Sequence, residues 1–327
     1  MFSAVIKRWI SRAEGKSVMR RRSVRLLWSV ARFVLLASLS FVLLYPLLYM
    51  LTMSFRPPDS MYDAGVVWIP RTLTLENLKT VWGLMQFPTA VWNTLSICIV
   101  SSLMTVISCA LAGYGFARFQ FRFKNLLFGG VLLSILIPPQ TIIIPMFIDM
   151  QYFDFMFVGQ IGRLFIGAPF TVNLYDTPFA MYLPALFANG IRAGLFIYIY
   201  RQFFRGLPRE LEDAACVDGC GVIRTFLRIV IPCSGTAFLT VFLFSFVFYW
   251  NDYYYTGMMY SNLNIVSLAP SSLQSKLAGI VASIYDPYAT APYLQAGSFL
   301  TILLPLSVYL IFQKYFTESI ERTGIVG

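Results

Sequence analysis

One charged stretch interrupts an otherwise strongly hydrophobic sequence. Residues 208–232 read PRELEDAACVDGCGVIRTFLRIVIP and hold four acidic side chains, three arginines and two glycines. Their spacing fits a short acidic helix that can make charged contacts with another protein. It does not fit acid–base catalysis, because the chain has no histidine and no cluster of carboxylates within an apolar segment.

The local sequence predicts a helix, a glycine corner and a second helix. Pro208 suits a first helical turn, and Gly219 and Gly221 suit helix termination. Carboxylates favour the positive end of a helix dipole, and the first helix begins with Glu210, Glu212 and Asp213. Leu211, Ala214, Ala215 and Val217 are predicted to share one shallow face on which another protein can lie. From Val222 to Pro232 the second helix is predicted to run rigidly into a membrane span.

Composition places the chain in a lipid bilayer. Of the 327 residues, 58% are hydrophobic and 12% charged, beyond the norms of soluble domains. About 20 apolar residues cross the hydrocarbon layer, and six such windows predict an all-α polytopic membrane protein. The predicted spans are Phe33–Phe55, Val91–Phe116, Asn125–Ile148, a weaker one at Phe179–Phe203, Phe226–Trp250 and Gln295–Phe312.

The distribution of lysine and arginine predicts the orientation. Most of the 25 basic residues lie before the first span, in residues 117–124, in the 201–228 loop and in the tail. Because basic loops stay in the cytoplasm, both termini are predicted to be cytoplasmic. The predicted divisions are a basic cytoplasmic arm (1–32) that can attract anionic lipid, a first span (33–55), an extracytoplasmic loop (56–90), a core (91–313) with a cytoplasmic loop at 204–225, and a tail (314–327).

Polar groups near the spans are candidates for contact with a transported solute. Asn189 and Arg192 interrupt the fourth span, and Tyr249, Trp250, Asn251 and Asp252 end the fifth. Polar groups inside a membrane face protein or water, and aromatic rings beside amides suit sugars. An aromatic belt at the membrane interface explains the same tyrosines. The prolines predicted to break or kink the third span are Pro138, Pro139 and Pro145.

Several functions are disfavoured by what the sequence lacks. No GxxxxGK[ST] stretch is present, so nucleotide binding by a P-loop is not expected. The five cysteines, with no histidine, favour neither a metal site nor a disulfide framework. The arginines flank apolar runs instead of forming a basic face, which disfavours nucleic acid as a partner.

At its cytoplasmic loop the chain resembles the permease subunits of ABC importers. Their signature is Glu-Ala-Ala, three residues, Gly and an apolar stretch ending in Pro; here Asp213-Ala214-Ala215 precedes Gly219, and Pro232 closes it. The remaining stretches are similar to sugar permeases of the maltose-transporter type. They are WIPRTLTLENLKTVW, WNTLSICIV, AGYGFARFQF, LIPPQTIIIP, RQFFRGLPRELEDAACVDG, FYWNDYY and FTESIERTGIVG. Asp213 replaces the usual Glu, and residues 150–178 look longer than in typical members.

The resemblance implies a type I ABC importer permease fold in a bacterial inner membrane, without catalysis of its own. It implies a second, different permease, two copies of an ATPase that bind ATP and Mg, and an extracytoplasmic solute-binding protein. Contact with the ATPase is expected from Glu210, Glu212, Asp213, Ala214, Ala215, Asp218 and Gly219. The alternative is a secondary transporter or channel that needs no ATPase.

Overall fold

The structure, a computed structural model, describes residues 2–63, 70–154 and 171–324, with side chains from residue 25 to residue 313. Within these ranges the chain is helical, and only two isolated β-bridges occur. The helices are α1 (Phe2–Ser54), α2 (Glu76–Leu84), α3 (Phe87–Arg118), α4 (Lys124–Leu136), α5 (Pro139–Gln151), α6 (Phe179–Leu186), α7 (Ala193–Gly206), α8 (Glu210–Val217), α9 (Val222–Cys233), α10 (Gly235–Trp250), α11 (Tyr254–Met259), α12 (Ala269–Lys276) and α13 (Pro287–Gly324).

Three helices in the described ranges are long and apolar enough to cross a membrane, namely Arg25–Ser54 of α1, α3 and Pro287–Gln313 of α13. They correspond to the first, second and sixth predicted spans. The predicted loop 56–90 needs correction, because it contains α2, and α3 begins at Phe87 instead of Val91. Pro88 suits the first turn of α3, which explains the earlier start. The arm 1–32 is also helical from Phe2.

The third predicted span is two helices. α4 and α5 meet at an angle of 106°, so the predicted span Asn125–Ile148 is not one continuous helix. The prediction that Pro138 and Pro139 break it is confirmed: Pro138 is extended, with ψ 137°. Proline lacks an N–H and disfavours helical backbone in the preceding residue. Pro145 lies inside α5.

The fourth predicted span, Phe179–Phe203, is also broken. α6 ends at Leu186 and α7 begins at Ala193, so Asn189 lies between them. Ala188 and Arg192 have φ of 54° and 59°, a left-handed conformation that cannot continue a right-handed helix. The Ser108 hydroxyl donates to the carbonyl of Ala185 at 2.6 Å and so caps the end of α6.

The fifth predicted span, Phe226–Trp250, bends by 79° between α9 and α10. The predicted rigid continuation of α9 into the span is therefore wrong. Ser234, at φ −108° and ψ 14°, departs from helical geometry. Pro232 offers no N–H to the helix, and a widened π turn at Phe226–Val230 precedes it. With this bent pair and the α4–α5 pair each counted as one span, five spans lie in the described ranges.

Helices α3, α7 and α10 form the centre of the molecule, with α13 packed on α1 and α2. One buried cluster joins the C-terminal half of α3 to α7 and α9. In this cluster the Tyr114 ring meets Phe204 edge-on and Phe226 at a tilt. A second cluster fills the opposite end, around Trp250, Tyr260 and Leu273. Of the segment 150–178, which looks longer than in typical family members, the structure describes residues 150–154 and 171–178.

The close approach of α3 and α7 depends on Gly113. A Cβ atom there would lie 2.6 Å from the Tyr200 Cβ and 3.1 Å from the Arg201 backbone nitrogen. We expect Gly113→Ala to destabilise the protein by about 1–3 kcal/mol, because backbone atoms must separate to admit the methyl group. Thermal unfolding in detergent measures this. Gly129→Ala on α4, with open space around it, is the control; equal melting temperatures of the two variants would contradict the close packing.

Candidate functional site

The acidic helix α8 ends in a glycine-dependent motif. Gly219 has φ +77°, and its N–H donates to the carbonyl of Cys216 at 3.0 Å, while the Cys220 N–H donates to the carbonyl of Ala215 at 2.9 Å. This pair of bonds is the Schellman motif, in which glycine satisfies the last helical carbonyls. The predicted helix end at Gly219 is confirmed. Gly221 has φ −75°, so its conformation does not require glycine.

The outward surface of α8 is acidic and apolar. Glu210, Asp213, Ala214, Asp218 and Gly219 are exposed, and Val217 is 88% exposed. Ala215 is only 3% exposed and faces the bundle. The prediction that both alanines share one docking face is therefore wrong: they are adjacent in a helix and lie about 100° apart around its axis.

Glu212 faces inward and pairs with Arg118 at the end of α3. The Nε of Arg118 donates to Oε1 of Glu212 at 2.6 Å, and the two side chains are 7% and 18% exposed. Tyr114 donates its hydroxyl hydrogen to Oε2 at 3.1 Å. Arg118 also donates from Nη2 to the carbonyl of Leu207 at 2.9 Å. Both carboxylate oxygens are thus engaged within the chain, so the structure gives Glu212 an internal role.

This ion pair fixes the position of the loop. Arg118 holds both the first turn of α8 and Leu207, the residue that follows α7, against α3. A second salt bridge, between Arg71 and Asp63, has an N–O distance of 3.9 Å and side chains that are 75% and 47% exposed. Removal of one partner destabilises a protein far more when the ion pair is buried than when it is exposed, because the remaining charge is left without a partner and with little water. The sequence prediction missed Arg118, although the residue lies in the AGYGFARFQF stretch.

The break between α6 and α7 lies beside the end of α10. The Arg192 guanidinium stands 5.9 Å from the centroid of the Phe248 ring. Gly190 approaches Tyr249 so closely that an added Cβ would overlap the Tyr249 hydroxyl. Asn189, Arg192 and Asn251 are all exposed. The structure therefore brings the two predicted groups of path residues into one region.

The other three candidates have structural roles in this conformation. Tyr249 and Trp250 are 4% and 3% exposed, so neither can contact a solute here. Asp252 caps α11: its carboxylate accepts from the Thr256 N–H at 2.7 Å and from the Thr256 hydroxyl at 2.6 Å. Burial raises the pKa of Asp252 above its usual range, although the hydrogen bonds from Thr256 act in the opposite direction.

No candidate metal centre emerges from residues 25–63, 70–154 and 171–313. They contain no group of three or more His, Cys, Asp or Glu side chains that could hold an ion. Cys216 and Cys220, four residues apart around the corner, are both free thiols.

The sequence matches known transport proteins. Residues 109–322 match the profile of a family described as binding-protein-dependent transport system inner membrane component. The arabinooligosaccharides transport system permease protein AraQ of Halalkalibacterium halodurans is 28% identical over 89% of this chain and 94% of its own length. The lactose transport system permease protein LacG of Rhizobium radiobacter is 25% identical over 93% and 97%. The trehalose transport system permease protein SugB of Mycobacterium tuberculosis is 27% identical over 87% and 93%.

A solved structure has the same fold. The crystal structure of a bacterial ABC transporter that imports the acidic polysaccharide alginate contains a chain with a TM-score of 0.67 and 19% identity. The match covers 89% of this chain and 96% of that one. The predicted fold, that of a type I ABC importer permease, is confirmed.

Proposed function

We propose, because the chain belongs to the family of binding-protein-dependent transport system inner membrane components, that it is the permease subunit of an ATP-driven importer and forms part of the path for a carbohydrate. It is a multi-pass membrane protein. The carbohydrate class is supported by relatives named for arabinooligosaccharides, lactose and trehalose, each aligned over most of its own length.

The observation that carries the coupling role is the exposed acidic surface of α8 at one end of the helical bundle. Glu210, Asp213 and Asp218 point away from the chain, while Glu212 and Ala215 hold the helix to it. An outward acidic surface on a fixed base can meet basic side chains of a separate ATPase. We assign the outward residues of α8 and Gly219 to that contact, and Glu212 and Ala215 to anchoring.

The assembly that follows contains two ATPase copies that bind ATP and Mg, a second and different permease, and an extracytoplasmic solute-binding protein. Both termini and α8 lie on the cytoplasmic side of a bacterial inner membrane. The charge pattern of the sequence and the match to an inner membrane component support this arrangement. ATP hydrolysis then belongs to the partner, and this subunit alternates between inward-facing and outward-facing states.

The path for solute passes the break between α6 and α7. Asn189, Arg192 and Asn251 are polar, accessible and close to the end of α10. Polar side chains that face water within a membrane protein supply hydrogen bonds to sugar hydroxyls. Tyr249 and Trp250 support this region from the core.

Asp213→Lys tests the coupling contact. We expect normal membrane insertion but a fall in ATP-driven uptake of about tenfold or more, because like charges replace an attraction across a docking surface. Uptake of radiolabelled oligosaccharide into proteoliposomes that contain the complete complex measures the effect, with ATP hydrolysis followed in parallel. We expect the variant complex to hydrolyse ATP without a matching amount of oligosaccharide uptake.

Asp63→Lys is the matched control, since it reverses an exposed carboxylate in the predicted extracytoplasmic loop. Normal uptake by Asp213→Lys would contradict the coupling assignment. Labelling of an introduced cysteine at position 214 by an impermeant reagent from outside the cell would overturn the orientation.

A further inference from the structure

Four basic side chains converge where α4 begins and α7 ends. The Arg201 guanidinium lies 3.8 Å from the centroid of the Phe128 ring on α4. Lys124 is one turn before Phe128 and so shares its face, and Arg205 is one turn after Arg201 on α7. The Lys124 ammonium lies within Coulombic range of Arg201, Arg205 and Arg209. We call these four residues the basic cluster.

The basic cluster makes no salt bridge with any residue whose side chain the structure describes. Of the acidic residues nearest to it in sequence, Glu210 and Asp213 are exposed on the outward surface of α8. The Nε of Arg201 is buried without a hydrogen-bond partner. Such a guanidinium nitrogen is costly to leave unpaired. An anion is therefore the missing partner that the geometry indicates.

The start of α4 adds to the positive potential. Lys124 is the first residue of this 13-residue helix, whose first turn has no acidic residue and whose N-cap, Phe123, makes no side-chain hydrogen bond. Helix N-termini attract anions through free N–H groups and the helix dipole. The Lys124 Nζ donates to the carbonyl of Phe119 at 2.7 Å, which directs the ammonium to this end of α4.

Exposed apolar side chains adjoin the basic cluster. Phe123, directly before Lys124, is 62% exposed, and Leu127, three residues after Lys124 and on the same side of α4, is 54% exposed. A free phosphate ion gains no binding energy from an apolar surface, whereas the acyl chains of a lipid can bury it. Charge and hydrophobicity together match an amphipathic anion.

We propose that the basic cluster binds the phosphate headgroup of an anionic phospholipid whose acyl chains lie along α4. Basic pockets between membrane helices are suited to such headgroups. The site also has a consequence for coupling, because Arg209 precedes α8 and its carbonyl accepts the Glu212 and Asp213 N–H groups at 2.9 and 3.0 Å. A headgroup that joins Lys124 to Arg209 ties the start of α8 to α4.

Lipid titration of the purified complex in detergent tests this site. Phosphatidylglycerol, phosphatidylcholine and inorganic phosphate are added in separate series, and the melting temperature and the bound lipid are measured, the latter by native mass spectrometry. We expect stabilisation by phosphatidylglycerol alone. Removal of two charges, in Lys124→Gln/Arg205→Gln, should weaken apparent phosphatidylglycerol affinity about thirtyfold, and Arg205→Gln alone should weaken it about fivefold.

Arg224→Gln/Arg228→Gln removes two exposed arginines of α9 and is the matched control. Lys124→Arg/Arg205→Lys keeps the charges and should keep the affinity. Equal losses in the two glutamine pairs, or equal stabilisation by phosphatidylcholine, would overturn the site. Equal stabilisation by inorganic phosphate would overturn the lipid as its ligand. Lipid binding that is unchanged in all variants would also overturn the site; it is the result expected if another protein subunit covers α4.

Discussion

Arg118→Met should destabilise the chain by about 3–5 kcal/mol and eliminate most ATP-driven uptake, because it leaves the Glu212 carboxylate charged in a site with little access to water. The Glu212 side chain is 18% exposed, and the Tyr114 hydroxyl cannot replace a cation. The same change removes the hydrogen bond to the Leu207 carbonyl. The first turn of α8 would then lose its attachment to α3 even where the bundle remains folded.

A double-mutant cycle separates this effect from simple loss of packing. Arg118→Met, Glu212→Leu and the pair are compared for melting temperature and for uptake per ATP hydrolysed in proteoliposomes. The pair should be more stable than Arg118→Met alone, since no buried charge remains. It should still couple poorly, because α8 is no longer held. Additive losses of stability in the cycle would show that the two side chains do not interact.

Gly219→Pro should uncouple ATP hydrolysis from uptake almost completely. Proline fixes φ near −65°, whereas Gly219 has φ +77°, and proline lacks the N–H that reaches the Cys216 carbonyl. The loss of the Schellman motif unwinds the last turn of α8 and redirects α9. Membrane insertion should be unaffected, because the apolar spans are unchanged.

Alanine variants isolate the backbone contribution at the corner. An added Cβ atom would meet open space at both Gly219 and Gly221, so neither alanine clashes with a neighbouring group. Gly219→Ala should cost about 1–2 kcal/mol through the left-handed conformation. Gly221→Ala, at an ordinary φ, should cost far less. Identical transport and stability of these two variants would refute the importance of the corner.

Local patterns predicted those features that depend on neighbouring residues. The apolar windows indicated the first, second and sixth spans, Pro138 and Pro139 indicated the break before α5, and Gly219 indicated the end of α8. Each depends on hydrophobic length, on the missing N–H of proline or on the freedom of glycine. These properties act within a few residues, so a single sequence carries them.

These local patterns could not predict contacts between residues that are far apart in the sequence. Arg118 and Glu212 are 94 positions apart, and nothing local distinguishes Glu212 from Glu210 or Asp213. The break before α7 relies on left-handed Ala188 and Arg192, residue types that rarely adopt that conformation without tertiary support. The burial of Tyr249 and Trp250 depends in the same way on packing between distant helices.

The near right angle at Ser234 determines what kind of motion α10 can receive. Because α9 and α10 are nearly perpendicular, a displacement along α9 would push α10 sideways. Such a push would tilt α10 about Ser234 and compress the helix little. α10 has 16 residues and is about 24 Å long, so a tilt of about 10° would swing its far end by about 4 Å. That end carries Tyr249 and Trp250, so such a tilt would move the side chains that pack beside the break between α6 and α7.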